Sequence, residues 1–187
     1  MLGTQATMSR PFLAALPLLC LLVCCGSQEQ PAQARLATEP VALDWPGTEA
    51  ALAQLEGQPY LLNFWATWCA PCIAELPELI EVAEEFETQG LQLVTINYDL
   101  MTPGVEPTAM LRTLADFQSA RGLHYPVLVY DGDDYEAINL KLQLPGPIPV
   151  TLAFDANGIE VARIENATDA AGFRKLALAA LGQSNSP

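Results

Sequence analysis

Short apolar runs alternate with helical segments along most of the chain, and this alternation is what most constrains its fold. The run from 60 to 65 is followed by helical spacing from 71 to 89, where apolar side chains recur every three or four positions. The pattern then repeats, and it predicts strands over 91–97, 126–130, 150–154 and 159–164 and helices over 105–121, 134–142 and 168–181. Such alternation is typical of an α/β fold with helices on both faces of a sheet. A turn signal at 155–158 makes the last two strands an antiparallel pair, so we expect a mixed central sheet.

Composition and charge argue against several classes of protein. Acidic residues outnumber basic ones by 22 to 8, which gives a net charge of −14. We therefore expect no nucleic-acid partner, because nothing here could neutralise a run of phosphates. The five cysteines form one group at 20, 24 and 25 and a pair at 69 and 72. That distribution excludes a miniprotein held together by disulfides and a zinc site built from two separated cysteine pairs.

The first 40 residues have the layout of an export signal followed by a tether. Arg10 precedes an apolar stretch, 11–25, that is shorter than the ~20 residues a membrane-spanning helix needs. A basic residue, a short apolar stretch and then small residues are typical of an export signal, which we place at 1–25. Residues 26–40 are polar and lack an apolar period, so they are predicted to be a flexible tether. One folded domain is expected over 41–183.

The reactive side chains are concentrated in the segment Trp68-Cys69-Ala70-Pro71-Cys72, where the first of these strands meets its helix. Cys69 falls at the first turn of that helix, where free backbone N–H groups and the helix dipole favour an anion. The thiolate is the nucleophilic form of cysteine, so this position activates Cys69. Cys72 lies one turn further along, within reach of a disulfide with Cys69 but more shielded. The pair therefore suits disulfide exchange, with Cys69 as the nucleophile and Cys72 as the resolving cysteine.

The segment 62–79, LNFWATWCAPCIAELPEL, closely resembles the active-site segment of thioredoxin-fold proteins, in particular the TlpA-like disulfide reductases of the bacterial cell envelope. The resemblance covers about residues 41–182. It implies a thioredoxin fold in which Cys69 and Cys72 form a redox-active disulfide. The stretch 97–149 is longer than thioredoxin needs and holds an additional helix and strand, as is typical of the TlpA-like branch. This insertion either shapes the partner-binding surface or extends the sheet.

A second match to this family lies downstream, at Ile148-Pro149-Val150-Thr151. The family carries a cis-proline before the strand that faces the dithiol, and the resemblance places it at Pro149. Such a proline leaves the backbone of Ile148 free to pair with a substrate strand. Pro145 and Pro147 are alternative positions for the cis bond.

Further residues of the active-site segment carry expectations. Glu75 resembles the glutamate that the TlpA-like branch places close to the dithiol, where it could accept the proton of Cys72 or tune the pKa of both thiols. The alternative is that Glu75 is one more solvated glutamate on an acidic helix. Asn63 replaces the buried aspartate of thioredoxins proper, so it cannot act as a carboxylate base. Trp68 is expected to contact the partner protein, and Trp65 is expected to pack in the interior.

The end of the export signal resembles the lipobox of bacterial lipoproteins, in which a cysteine follows the cleavage site. Leu22-Val23-Cys24-Cys25 puts Cys25 at that position, although the family usually has Gly, Ala or Ser where Cys24 stands. We expect Cys25 to carry lipid that tethers the domain to a membrane; the alternatives are plain secretion and an uncleaved anchor. The expected location is the bacterial cell envelope, facing the periplasm, with the choice between inner and outer membrane left open.

These features predict a thiol-disulfide oxidoreductase that uses no cofactor and no metal. By resemblance, it reduces disulfides of envelope proteins, such as apocytochromes in cytochrome c maturation, and a membrane partner of the thiol-disulfide type supplies its electrons. Fold and motif alone suit oxidation or isomerisation equally, because the direction depends on the reduction potential. Another alternative is a metallochaperone that binds copper through the cysteine pair, with a histidine or methionine completing the ligands. The single histidine, His124, precedes a predicted strand, where a lone histidine is more often a loop or core-edge residue than a ligand.

Overall fold

The computed structural model describes residues 1–3, 36–132 and 135–183. Its contacts divide the chain into two units, Met1–Gln33 and Ala34–Pro187, and the described secondary structure lies in the second. The described helices are α1 (Trp45–Leu52), α2 (Ala70–Glu87), α3 (Pro107–Arg121), α4 (Tyr135–Leu142) and α5 (Ala170–Ala180), with short 3₁₀ turns at Ala53–Leu55 and Asp99–Met101. The described strands are β1 (Val41–Leu43), β2 (Tyr60–Trp65), β3 (Gln92–Asn97), β4 (Val127–Tyr130), β5 (Val150–Phe154) and β6 (Glu160–Ile164).

The strands form one mixed sheet in the order β1-β4-β3-β2-β5-β6. The pairs β1–β4, β4–β3 and β3–β2 are parallel, whereas β2–β5 and β5–β6 are antiparallel. The expected α/β architecture with a mixed sheet is therefore confirmed. Asn63 of β2 lies opposite Thr95 of β3 on one side and opposite Thr151 of β5 on the other. This register sets the strand that precedes the dithiol beside the strand that follows Pro149.

The segment inserted between β3 and Pro149 extends the sheet. Helix α3 leads from β3 to β4, and β4 lies between β3 and β1 with all its residues buried. A parallel strand inside a sheet is covered on both faces, which explains the continuous apolar run of β4. Of the two roles expected for the insertion, extension of the sheet is the one that the topology shows.

Strand β2 is buried over its whole length and forms the centre of the core. Trp65 packs in the interior, as expected, with its ring centroid 5.3 Å from that of Phe117 in α3. Tyr60 stacks on Phe154 of β5 at 4.6 Å. Helices α2 and α5 pack against each other. Each such apolar side chain stabilises the fold by about 1.5–3 kcal/mol, so the connection from β2 to α2 starts from a firmly held strand.

The elements predicted from 60 onwards agree with the observed ones to within two residues, and the differences have local causes. Helix α3 begins at Pro107 because the Glu106 carboxylate caps it, accepting a hydrogen bond from the Ala109 N–H at 2.8 Å. The same helix ends at Gly122, whose φ of 63° is the left-handed conformation that stops many helices. Asp169 caps α5 in the way that Glu106 caps α3.

The sequence does not predict β1 or α1. Strand β1 has three residues, too few to show an apolar period. Helix α1 carries Pro46 and Gly47 in its first turn, and both residues are poor helix formers in a helix interior. The helix starts because the Asp44 side chain accepts a hydrogen bond from the Gly47 N–H at 2.9 Å. A proline is tolerated there since its missing N–H has no partner in the first turn.

The N-terminal predictions fall mostly on residues 4–35, which lie outside the described residues. Cys25 and nearly all of the predicted export signal are among them. The end of the predicted tether, by contrast, lies against the folded domain. Leu36 packs against the core, and the carbonyl oxygen of Thr38 accepts a hydrogen bond from Gln118 Nε2 at 2.9 Å. Contacts of the domain therefore begin before the predicted boundary at 41, because an apolar side chain at 36 finds a place on the core.

None of the described helices combines the length and the apolar character needed to cross a membrane.

Candidate active site

A disulfide joins Cys69 to Cys72 at the junction of β2 and α2. Cys69 is the N-cap of α2, and its Sγ accepts a hydrogen bond from the Cys72 N–H at 3.3 Å. The N-terminus of a helix favours a negative charge at this sulfur. Cys69 retains 5% of its surface exposed, whereas Cys72 is fully buried. The arrangement can therefore stabilise a thiolate on the outer sulfur and shield the inner one.

The loop before β5 faces the outer sulfur. The Ile148–Pro149 peptide bond is cis, at the position that the resemblance indicates. The carbonyl oxygen of Ile148 lies 3.8 Å from Cys69 Sγ. A disulfide sulfur carries no hydrogen, so this is a van der Waals contact in the oxidised protein, and only the reduced thiol could donate to that oxygen. Trp68, beside Cys69 in the chain, is 59% exposed and can meet a partner.

The side chain of Asn63 connects β2 to α2 and β5. Its Nδ2 donates to Thr151 Oγ1 at 2.9 Å and to Glu75 Oε1 at 3.4 Å. Glu75 Oε2 accepts a second hydrogen bond, from the backbone N–H of Thr168 at 3.0 Å. Glu75 is 5% exposed, so the alternative of a solvated glutamate is wrong. Residues three apart on a helix share a face, which sets Glu75 on the side of α2 that carries Cys72.

The environment of Glu75 changes its proton affinity. Burial raises the pKa of Glu75 from its usual value near 4.5 to about 7. The hydrogen bonds from the Thr168 backbone and from Asn63 oppose this shift of the pKa, while the nearby charge of Glu78 adds to it. A carboxyl group that titrates near neutral pH can both accept and release a proton during turnover.

Several residues of this site are not predicted from the sequence. Thr151 lies in the matched segment after Pro149, but its bond to Asn63, like the bond of Thr168 to Glu75, joins residues far apart in the chain, so no local spacing predicts either contact. Asp99 is buried close to the dithiol loop and accepts hydrogen bonds from Thr67. One signal could have found it: Asp99 and Thr67 each lie two residues beyond the carboxyl end of neighbouring parallel strands, and such ends meet at one edge of the sheet.

The described residues include no group of three or more His, Cys, Asp or Glu side chains placed to hold a metal ion. His124 lines a shallow depression with Thr38 and Leu123.

Comparison with known proteins gives a consistent result. Residues 32–162 match the AhpC/TSA family. The thiol-disulfide oxidoreductase ResA of Geobacillus kaustophilus is 32% identical over 132 residues, which are 71% of this chain and 68% of the relative. The first curated relatives match over 63 to 68% of their own length.

Solved structures agree in fold. A thiol:disulfide interchange protein of the thioredoxin family from Chlorobium tepidum is 28% identical with a TM-score of 0.56, over 70% of this chain and 84% of that protein. A secreted thiol-disulfide isomerase from Corynebacterium glutamicum is 27% identical with a TM-score of 0.57, over 71% of this chain and 75% of that protein. Sequence and fold, together with a cysteine pair at disulfide distance, place the chain in the AhpC/TSA family, among its thioredoxin-fold thiol-disulfide oxidoreductases.

Proposed function

We propose that this oxidoreductase reduces disulfides in other proteins, with Cys69 as the nucleophile and Cys72 as the resolving cysteine. The observation that carries the proposal is the difference between the two sulfurs. Cys69 caps α2 beside the Ile148 carbonyl oxygen, whereas Cys72 is fully buried. An outer sulfur activated by a helix N-terminus suits attack on a large substrate, and a buried sulfur suits only an intramolecular step.

The reaction proceeds in two exchanges. The Cys69 thiolate attacks one sulfur of the substrate disulfide, so a Cys69–substrate bond forms and the other substrate sulfur leaves as a thiolate that takes up a proton. Cys72 then loses its proton and attacks Cys69 Sγ. This forms the Cys69–Cys72 disulfide and releases the second substrate sulfur. Two electrons have then passed from the enzyme to the substrate, and a dithiol donor must return them.

Glu75 is proposed to receive the proton that Cys72 loses. It lies on the same face of α2, and burial brings its pKa to about 7, so part of the population is ionised and able to accept a proton near neutral pH. Asn63 and the Thr168 N–H hold its two oxygens. A solvated glutamate, with its usual pKa, would be a much weaker base.

The substrate is proposed to bind across Trp68, Ile148 and Pro149. The exposed indole of Trp68 offers an apolar surface beside Cys69. Pro149 has no N–H, and the Ile148 backbone next to it faces the reacting sulfur, so an extended segment of substrate can pair with that backbone.

The proposed partners are disulfide-containing proteins of the cell envelope, such as apocytochromes awaiting haem, together with a membrane donor of the thiol-disulfide type. The description of the Corynebacterium glutamicum relative as secreted supports a place outside the cytoplasm. Disulfides persist in such compartments, where a reductant has substrates to act on.

The reduction potential of the Cys69–Cys72 pair tests the direction of electron flow. We expect a value close to that of thioredoxin, about −270 mV, when the full chain is equilibrated with glutathione or dithiothreitol buffers. A value near that of the strong oxidants, about −120 mV, would contradict the reductase and favour the oxidase alternative.

Residues 1–25 are proposed to direct export, and Cys25 to carry the lipid of a tether that leads to the domain. Expression of the full chain in bacteria fed radiolabelled palmitate should label the protein, and C25S should abolish the label because the acceptor sulfur is gone. C20S is the matched control and should keep it. Label retained in C25S would refute lipid attachment at that position.

A further inference from the structure

A buried carboxylate outside the dithiol motif has no part in the mechanism above. Asp99 opens the 3₁₀ turn Asp99–Met101, two residues after the end of β3, and is only 1% exposed. An ionised carboxylate taken out of water is strongly destabilising unless donors surround it. The groups that donate hydrogen bonds to Asp99 are therefore the groups whose positions Asp99 fixes.

Those donors come mainly from the connection between β2 and α2. Both Asp99 oxygens lie 3.2 Å from the backbone nitrogen of Thr67, and Oδ1 also accepts from Thr67 Oγ1 at 2.8 Å. A further donor is Asn97 Nδ2, 2.8 Å from Oδ2. Asn97 in turn accepts a hydrogen bond from the Asp99 N–H at 2.9 Å through its Oδ1. The Asn97 amide thus orients the carboxylate. The carboxylate in turn accepts hydrogen bonds from two atoms of Thr67, its backbone nitrogen and Oγ1.

Thr67 occupies the middle of the short connection that delivers the nucleophile. Strand β2 ends at Trp65, and α2 begins with Cys69 as its N-cap. Besides the hydrogen bonds from Thr67 to Asp99, backbone bonds hold this connection. They run from the Tyr98 N–H to the Trp65 carbonyl oxygen at 2.9 Å and from the Cys69 N–H to the Ala66 carbonyl oxygen at 3.1 Å. One ties the start of the connection to β3, and the other closes its own turn. Asp99 is what ties its centre to β3.

We propose that Asp99 is a positioning residue, which through Thr67 holds Cys69 against the Ile148 backbone where a polypeptide substrate pairs. This inference rests on the proposed function, because positioning matters only if Cys69 attacks a disulfide presented by a bound chain. A misplacement of about 1 Å in a reacting group can lower a rate by 10²-fold. A small soluble disulfide makes no such pairing and can approach Cys69 from any open side.

The two kinds of substrate therefore separate positioning from reactivity. For the reduced full chain with Cys20, Cys24 and Cys25 replaced by serine, so that Cys69 and Cys72 are its remaining thiols, we compare the rate of insulin disulfide reduction with the rate of reaction with 5,5′-dithiobis(2-nitrobenzoate). In D99N the amide cannot accept from all the donors that face it, and reduction of insulin should fall at least about tenfold while the small disulfide reacts within about threefold of the wild-type rate. T67V, which keeps the backbone bond and loses the hydroxyl bond, should show a smaller fall of the same selectivity.

Two further variants complete the test. T67S keeps both hydrogen bonds to Asp99, so it should retain the wild-type ratio of the insulin rate to the small-disulfide rate. D116N removes an exposed carboxylate from α3 with the same change of charge, and it should alter either rate by less than about twofold. All variants are compared below their melting temperatures, with circular dichroism reporting the folded fraction.

Each outcome decides the inference. The inference is supported if D99N and T67V lose insulin reduction but keep the reaction with the small disulfide, and if T67S keeps both rates. Equal losses with both substrates, or unchanged insulin reduction in D99N and T67V, would overturn it and leave Asp99 a structural residue. The wild type separates this from the proposed function: a wild-type protein that reacts with neither disulfide refutes the function itself.

Discussion

Replacing Cys72 by alanine is expected to make mixed disulfides with substrate proteins accumulate. Cys69 keeps its place at the N-terminus of α2, so the first exchange still occurs. The second exchange lacks its attacking sulfur, and turnover should fall by at least about 10³-fold, since only slow attack by external thiols remains. Incubating the reduced C72A chain with insulin and separating the products on a non-reducing gel measures the covalent adduct, which dithiothreitol should dissolve.

The matched control is C69A, which makes the same change at the other sulfur. With Cys20, Cys24 and Cys25 replaced by serine in both variants, C69A should form no adduct, because the remaining Cys72 is fully buried and cannot reach a protein disulfide. Both variants remove one sulfur from a packed site, so both should lose similar stability, on the order of 1–2 kcal/mol. Adduct formation by C69A and not by C72A would reverse the roles that we assign to the two cysteines.

Replacing Glu75 by glutamine is expected to slow the resolving step by about 10²-fold at neutral pH, the lower end of what a positioned base contributes. In the wild type the rate should rise with pH through about 7, because burial raises the pKa of Glu75 to that value and only the ionised carboxylate accepts a proton. In E75Q the ascending limb should move towards the pKa of an unassisted thiol, about 8.5. Single-turnover decay of the mixed disulfide, followed from pH 5 to 9, measures both quantities.

E84Q is the matched control for that experiment, because Glu84 is an exposed glutamate on the same helix. It should retain the wild-type rate and pH profile. If E75Q keeps the wild-type profile as well, Glu75 is not the proton acceptor.

The same substitution should change how stability depends on pH. The pKa of Glu75 is near 4.5 when the chain is unfolded and about 7 when it is folded, so the folded state binds the proton more tightly. The resulting stabilisation is complete below pH 4.5 and is lost as the pH rises through 7, about 3 kcal/mol in the free energy of unfolding. In E75Q this loss should be absent. Urea unfolding of both proteins at pH 4.5 and pH 8 gives the difference.

The parts of the molecule that could be predicted are those with a strong local pattern. The apolar run of β2 and the spacing of α2 predict both elements, and the motif between them predicts a cysteine at a helix start. The cis bond at Pro149 follows from resemblance, whereas β1 and α1 are too short for a period to show. Strand β1 is identified in the structure by its parallel pairing with β4.

The buried polar residues illustrate why the rest of the site could not be predicted. Helix α2 carries many glutamates, and only the resemblance to the TlpA-like branch singles out Glu75; the spacing of the helix does not show which glutamate the chain before α5 covers. Glu75 is buried because the Thr168 N–H meets it, a contact across 93 positions of sequence. The role of Asp99 likewise cannot be predicted until β2 and β3 are known to be neighbours, because that pairing brings Asp99 next to Thr67.

The two outer strands of the sheet leave little room for another chain to join it. Strand β1 is three residues long. Strand β6 carries the ion pair of Glu160 and Arg163, and a register shift at Ala153/Phe154 interrupts its pairing with β5. Short, charged and irregular edges are how natural sheets avoid adding strands from other molecules. Under the proposed function, polypeptide substrates would bring that hazard with them, and the proposed pairing site for an incoming chain is the Ile148 backbone, 3.8 Å from Cys69 Sγ.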